Sequence, residues 1–125
     1  MVAIDTNVAI AHLNNKLRLP PGVRTEQLAL PVTVVGELLF GAYNSGRIAA
    51  NLLAYRSFIY DLNVLVVDAL AAEYYAEIRF ALKKLGQPIP ENDIWIAAIC
   101  RAADVPLFTF DKHFDRVAGL QLIEN

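Results

Sequence analysis

Four acidic residues lie beside strongly apolar segments, at positions where carboxylates could do chemistry: Asp5, Glu37, Asp93 and Asp111. Carboxylates held close together raise each other's pKa and destabilise a fold. A hard divalent cation removes that conflict, because Mg²⁺ and Mn²⁺ prefer oxygen ligands and commonly bind a substrate phosphate as well. If the fold brings these four residues together, we expect them to form a Mg²⁺ or Mn²⁺ site.

The sequence has no pattern for zinc. Cys100 is the single cysteine, and His12 and His113 stand alone in the chain, whereas zinc sites combine several Cys and His residues. Each histidine is expected to be a surface or helix-capping residue. A single cysteine also permits no internal disulfide, which favours a reducing cytoplasm.

The apolar patterns and turn residues predict alternating strands and helices. Val2–Ile4 shows no alternation of polar and apolar residues, which is typical of a strand buried on both faces of a parallel sheet. The other predicted strands are Leu28–Val32, Leu62–Val67, Leu107–Phe110 and an edge strand over Leu120–Ile123. The predicted helices are Val8–Leu13 capped by Thr6 and Asn7, a helix from Thr33 as N-cap to Asn44, Arg47–Tyr60, Ala69–Leu85 between Asp68 as N-cap and Gly86, and an apolar helix over Ile94–Ala103 opened by Asn92 or Asp93. A single helical turn is predicted over Lys112–Arg116. This order calls for an open parallel sheet with right-handed crossovers.

Such a sheet would gather the four carboxylates at one rim. Parallel strands present their carboxyl ends on the same side, where open α/β sheets bind ligands. Asp5 and Asp111 each follow a predicted strand, Glu37 lies in the helix after the second strand, and Asp93 begins the helix that leads into the fourth. For Asp5 and Asp93 a simple capping role remains the alternative.

Chain length, hydrophobic content and net charge limit the classes of protein to which the chain can belong. At 125 residues the chain is expected to form one domain, and its hydrophobic content of 56% suggests a sheet covered on both faces and an oligomer interface. Charged residues interrupt every long apolar stretch, so no membrane span is expected. The net charge of -2 provides no general basic surface for nucleic acid. Arg79, Lys83 and Lys84 form a local basic group that could complement the helix dipole or contact phosphates.

Four sequence blocks together resemble PIN-domain ribonucleases, and most closely the VapC-type toxins. The blocks are Val-Ala-Ile-Asp5-Thr-Asn, Val-Val-Gly-Glu37-Leu-Leu-Phe-Gly-Ala, Pro-Glu-Asn-Asp93-Ile-Trp-Ile-Ala-Ala and Leu-Phe-Thr109-Phe-Asp111-Lys-His-Phe. The resemblance spans essentially the whole chain, so residues 1–125 are expected to be a single PIN domain. It implies a parallel sheet of order 3-2-1-4-5 between helices, with the first strand central. It also implies a metal-dependent endoribonuclease that forms homodimers and is inhibited by a small, DNA-binding, VapB-like antitoxin.

The resemblance also implies roles for individual residues. Asp5, Glu37 and Asp93 match the three main acidic positions of the family, and Asp111 matches a fourth at which members vary. Thr109 matches a frequent hydroxyl position near the metal. Asn7 is expected to orient Asp5 or a bound water. The implied mechanism is Mg²⁺-assisted or Mn²⁺-assisted hydrolysis, in which an activated water attacks the phosphate in line.

Two other functions fit part of the pattern. A signalling receiver domain has a similar length, the same strand order and an acidic metal pocket. It would need a second acid after Asp5, where this chain has Thr6, and a functional Asp after the third strand, where Asp68 begins a plain helix. A PIN-like module that binds RNA or a partner without cleaving is the second alternative, which the intact acidic residues disfavour.

Overall fold

The computed structural model describes residues 1–124, which form a five-stranded sheet and its helices. The strands are β1 (Val2–Ile4), β2 (Leu28–Pro31), β3 (Asn63–Leu65), β4 (Leu107–Phe108) and β5 (Leu122–Ile123), and the α-helices are α1 (Thr6–Leu13), α2 (Val32–Tyr43), α3 (Ile48–Asp61), α4 (Ala69–Leu85) and α5 (Glu91–Ala103). Two short 3₁₀ turns cover Thr25–Gln27 and Lys112–Arg116.

All strand pairs are parallel, and the order β3-β2-β1-β4-β5 confirms the predicted sheet. β1 is central because all three of its residues are apolar and buried, so it can have neighbours on both edges and layers on both faces. Ile4 lies opposite Phe108 in β4. The residues that follow these two strands therefore emerge side by side at the carboxyl rim.

The helices pack in pairs, α4 against α5 and α2 against α3. The apolar residues of α5 from Ile94 to Cys100 are almost all buried inside the protomer. The prediction that α5 is a buried helix is confirmed, and its second neighbour is α4. An apolar α5 therefore does not by itself require a partner subunit.

Several predicted helix starts are wrong by one to three residues. α1 begins at Thr6, because the side chain of Asp5 caps it in place of Thr6 or Asn7. α2 begins at Val32, so Thr33 is inside the helix and is not its N-cap. α5 begins at Glu91, so neither Asn92 nor Asp93 is its cap. Prolines occupy the N-cap positions of α2 and α5, where an extended ψ allows the helix to begin at the next residue.

The first strand has its predicted bounds, but the other four are shorter than predicted, because each ladder lasts only as long as both partners remain in register. β3 pairs with three residues of β2, and β4 pairs with only two residues of β5. The predicted ends of α4 are confirmed: Asp68 accepts a hydrogen bond from the backbone N–H of Ala71, and Gly86 closes the helix with a φ of 66°. Only glycine adopts that left-handed conformation without steric cost.

Candidate active site

Asp5 is the buried charged residue at the carboxyl end of β1, with 7% of its surface exposed. Its Oδ1 accepts a hydrogen bond from the backbone N–H of Val8 at 3.1 Å, which caps α1. Its Oδ2 accepts a hydrogen bond from Thr109 Oγ1 at 2.5 Å. Burial raises the pKa of Asp5 above its usual value, these two hydrogen bonds lower it, and the charge of Asp111 raises it further. The Asp5 carboxylate is thus held in one orientation by β1, α1 and the segment after β4.

Thr109 joins Asp5 to Asp111. While its hydroxyl donates to Asp5, the same oxygen accepts a hydrogen bond from the backbone N–H of Asp111 at 3.0 Å. Oδ1 of Asp111 then accepts the backbone N–H of His113 at 2.9 Å and caps the turn that begins at Lys112. This chain of hydrogen bonds fixes the rim after β4 relative to the rim after β1.

Asp93 lies in the first turn of α5 and faces the same rim. One ligand atom each from Asp93, Asp111 and His113 lie within 4.8 Å of one another, which is close enough for a shared cation. Burial, followed by the charges of Asp111, Asp5 and Glu37, raises the pKa of Asp93 to about 6. Four carboxylates therefore share one electrostatic environment, as the parallel-sheet topology predicted.

Glu37 stands at the edge of this cluster. It lies in α2, and its Oε1 accepts a hydrogen bond from Thr6 Oγ1 at 3.0 Å. Its charge raises the pKa of Asp93, but it is not one of the three residues whose ligand atoms are closest together. The bond to Thr6 ties α2 to the first turn of α1, immediately beside the Asp5 cap.

The structure places His113 in the cluster, although the sequence analysis expected a surface or capping histidine. Its Nδ1 is buried and lies 3.1 Å from Asp111 Oδ1, without the alignment of a hydrogen bond. The signal that could have found it is its position two residues after Asp111, inside the turn that the same carboxylate caps. Asn7 is different: its side chain is exposed, and within residues 1–124 no hydrogen bond joins it to Asp5. Thr109 provides the orienting bond that was expected of Asn7.

The donor set suits a hard divalent cation. Oxygen ligands dominate it, and the charges of Asp111, Asp5 and Glu37 add to burial in raising the pKa of Asp93, a repulsion that a bound cation would relieve. Asp93, Asp111 and His113 have ligand atoms close enough to share such an ion, and Asp5 and Glu37 lie beside them within electrostatic reach of Asp93. With a divalent ion bound, such an arrangement would be able to polarise a phosphate.

Comparison with known proteins agrees with this geometry. Residues 2–120 match the family model of the PIN domain. The chain belongs to the PIN-domain family. Among similar proteins, Ribonuclease VapC5 of Mycobacterium tuberculosis is 30% identical over 97% of this PIN domain and 90% of the relative.

Two solved structures share the whole fold with this PIN domain. DNA-bound VapBC from Salmonella typhimurium superposes with a TM-score of 0.87 at 28% identity, covering 98% of this chain and 96% of the other. VapBC-5 from Mycobacterium tuberculosis, a member of the VapBC family of toxin-antitoxin systems, gives 0.74 at 30% identity, covering 98% and 94%. Family membership decides against the receiver-like alternative. In the part of the chain that the structure describes, no helix is long and apolar enough to span a membrane.

Proposed function

We propose that this PIN domain is the toxin of a toxin–antitoxin pair and hydrolyses RNA phosphodiester bonds with a bound Mg²⁺ or Mn²⁺ ion. The observation that carries the proposal is that ligand atoms of Asp93, Asp111 and His113 lie within 4.8 Å of one another at the carboxyl rim, within the electrostatic reach of Asp5 and Glu37. The relatives named ribonuclease VapC support RNA as the substrate. An RNA substrate is also consistent with action in the cytoplasm.

In this proposal each part of the rim has a separate task. Asp5, Asp93 and Asp111 hold the ion, and Glu37 completes or flanks the site. Thr109 positions Asp5 and Asp111 through its two hydrogen bonds. When bound, a divalent ion polarises the phosphate and activates a water molecule. The burial of Asp5 and the partial burial of Asp93 exclude bulk water, which strengthens every charge interaction at the site.

We propose a small VapB-like, DNA-binding antitoxin as the partner, supported by the VapBC complexes that share this fold. The surface also suits assembly into a homodimer, because several large apolar side chains are exposed. They include Tyr43, Leu53, Tyr60, Phe80 and Leu85. A contiguous patch of such side chains would mark a surface that binds a protein.

The decisive experiment compares RNA cleavage by the wild type, Asp5→Asn and Asp93→Asn, each with Mg²⁺ and with excess EDTA. Cleavage should require the ion and should disappear in both variants, because each loses a charged ligand. Asp104→Asn is a matched control, since it makes the same substitution at the other end of α5. Asp104 has a φ of 55° there, a conformation that Asn also tolerates. Robust cleavage in EDTA would refute the proposal, and Mg²⁺ binding without cleavage of any RNA would favour the non-cleaving module.

A further inference from the structure

A groove with no assigned role opens directly beside the acidic cluster. It has a volume of about 480 Å³ and lies between the start of α1, the stretch of α2 from Thr33 to Phe40 and the first turn of α5. Its lining residues are Thr6, Thr33, Gly36, Glu37, Phe40 and Asn92. We call it the α2 groove.

The α2 groove is continuous with the candidate active site. Glu37 belongs to both, and Thr6 on the groove wall donates the hydrogen bond that holds the Glu37 carboxylate. Asn92 on the opposite wall immediately precedes Asp93. A ligand in the groove would therefore lie beside a phosphate bound at the cluster.

The groove offers an aromatic face and uncharged polar groups. Phe40 is 68% exposed and lies one helical turn after Glu37. An exposed aromatic ring next to a nucleic-acid site is a stacking surface for an unpaired base. Asn92 presents an amide that can both donate and accept hydrogen bonds. Thr33 Oγ1 is buried without a hydrogen-bond partner, and the two χ1 rotamers open to Thr in a helix would let it turn toward a ligand.

Gly36 leaves the floor of the groove open. A Cβ atom added there would meet nothing within 4 Å. Because Gly36 lies four residues before Phe40, both residues face the same side of α2. A side chain at position 36 would fill space in front of the Phe40 ring. A planar ligand can use that space as the chain stands.

We propose that the α2 groove holds one nucleobase of the RNA, next to the phosphate that is cleaved, with Phe40 as the stacking residue. This inference rests on the proposed ribonuclease function and deepens it, because it assigns residues that set base preference. The negative charge of Glu37 in the wall disfavours an acidic ligand, whereas a nucleobase is planar and neutral. The amide of Asn92 and the hydroxyl of Thr33 match the donors and acceptors on a base edge.

Gly36→Leu tests the proposal, with Gly41→Leu as its matched control. Both glycines lie in α2 with open space at the Cβ position, but only Gly36 lines the groove. Leu is the better helix former, so both variants should melt at the wild-type temperature or above it. Gly36→Leu should lower kcat/KM for RNA by at least about tenfold, while Gly41→Leu should match the wild type. The rise in Tm on adding Mg²⁺ should be the same in all three proteins, which shows that the acidic cluster is intact.

A second measurement is independent of catalysis. Binding of the uncharged nucleosides adenosine, guanosine, cytidine and uridine, followed by NMR at millimolar concentration in EDTA, should shift the Phe40 signals of the wild type. Phe40→Ala should weaken this binding by between about 5-fold and about 160-fold, the range that corresponds to loss of one base-stacking contact. Phe40→Tyr should retain it. Gly36→Leu should abolish it and Gly41→Leu should not.

Three results would overturn the inference. One is nucleoside binding and RNA cleavage by Gly36→Leu and Phe40→Ala at wild-type levels. Another is a wild type that binds none of the four nucleosides. The third is unchanged nucleoside binding in Gly36→Leu combined with loss of self-association or antitoxin binding, which would identify the groove as a protein contact. Failure of the ribonuclease proposal is distinct, because it would appear as wild-type protein that cleaves no RNA with Mg²⁺.

Discussion

At the scale of single residues, Asp5 combines two tasks that the sequence presented as alternatives. One carboxylate oxygen caps α1 through Val8, and the other is bound by Thr109 at the rim. Each oxygen retains a further lone pair for a metal ion. A structural cap and a candidate ligand are therefore compatible in one side chain, because the cap orients the carboxylate that the ion would need.

The pKa of Asp93 predicts a pH-dependent stability difference. Its folded-state pKa of about 6 lies above the usual 3.8. The metal-free wild type should therefore lose stability relative to Asp93→Asn as the pH rises from about 4 to about 6, and the full penalty should remain at higher pH. After allowance for solvent screening, Asp93→Asn should be more stable by about 1 kcal/mol at pH 7.

Thermal melts of both proteins in EDTA between pH 4 and pH 8 would measure this difference, and Mg²⁺ should stabilise the wild type more than the variant. Asp104→Asn is the control, with no pH-dependent gain expected. Asp93 would be excluded from the cluster if its Asn variant were less stable at pH 7 and responded equally to Mg²⁺.

The two hydrogen bonds of Thr109 predict that its Val and Ser variants differ in stability. Thr109→Val keeps the shape of the side chain but leaves an Asp5 oxygen and the Asp111 N–H without their partner. Such a loss should cost about 1–3 kcal/mol of unfolding free energy and raise the pKa of Asp5 further. Thr109→Ser keeps the hydroxyl and should retain most of the stability and the Mg²⁺ response. Urea unfolding of the two variants would compare them, and equal losses would show that the hydroxyl is not what Thr109 contributes.

At the scale of elements, the position of Asp93 depends on how α4 holds the start of α5. The rings of Tyr75 in α4 and Trp95 in α5 stack with centroids 3.9 Å apart at 14°. The Tyr75 hydroxyl donates to Glu91, the first residue of α5, and accepts a hydrogen bond from Arg79 at 2.7 Å. These contacts fix the first turn of α5, where Asp93 lies.

Two substitutions at Tyr75 should distinguish the contribution of ring stacking to stability from that of the hydroxyl hydrogen bonds. Tyr75→Phe keeps the stack and should change the unfolding free energy by less than about 1 kcal/mol, because the hydrogen bonds it loses are exposed. Tyr75→Ala loses the stack and should cost about 1–3 kcal/mol, of which about 0.5–1.5 comes from ring geometry. The stabilisation by Mg²⁺ should also fall in Tyr75→Ala, measured by thermal melts. A full Mg²⁺ response in that variant would show that α5 does not need this contact to present Asp93.

At the scale of the whole molecule, a net charge of -2 is a poor match for the proposed RNA substrate, so the proposal requires local basic groups to supply the attraction. Arg79 and Lys83 line a cavity of about 350 Å³ between α4 and the start of α5, with Glu91 on the same wall. Arg79 lies 3.6 Å from Glu91, and both side chains are largely exposed. Phosphates that approach the rim over α4 would therefore meet positive charge before they meet the carboxylates.

Arg79→Gln combined with Lys83→Gln should weaken binding to all RNA sequences alike. If both residues contact phosphates, the slope of log affinity against log salt should become less negative by about 1.4, from roughly 0.7 per contact with a single strand. The control is Arg47→Gln combined with Arg56→Gln, at the N-cap and within α3, which removes the same charge outside this cavity. Fluorescence anisotropy over a salt series would give both slopes. Selective loss for one RNA sequence would indicate base recognition instead of phosphate contact.

The sequence by itself determined the features that depend on short-range signals. Val2–Ile4 is apolar at every residue and forms the central strand. Asp68 and Gly86 mark the two ends of α4, and the sequence could predict them because capping involves only neighbouring residues. The parallel order then implied a single rim for Asp5 and Asp111. The resemblance of four sequence blocks extended this to the family, the strand order and the acidic positions.

Tertiary structure decided what depends on residues far apart in the chain. Thr109 bonds Asp5 across 104 positions, and it can do so because Ile4 pairs with Phe108. His113 joined the cluster because Asp111 caps the turn that carries it. Local propensity could not indicate either contact, since both arise from strand register and from the path of the chain after the strand. Register is set by packing of the whole sheet, so the partners of a rim residue are known only when the sheet is assembled.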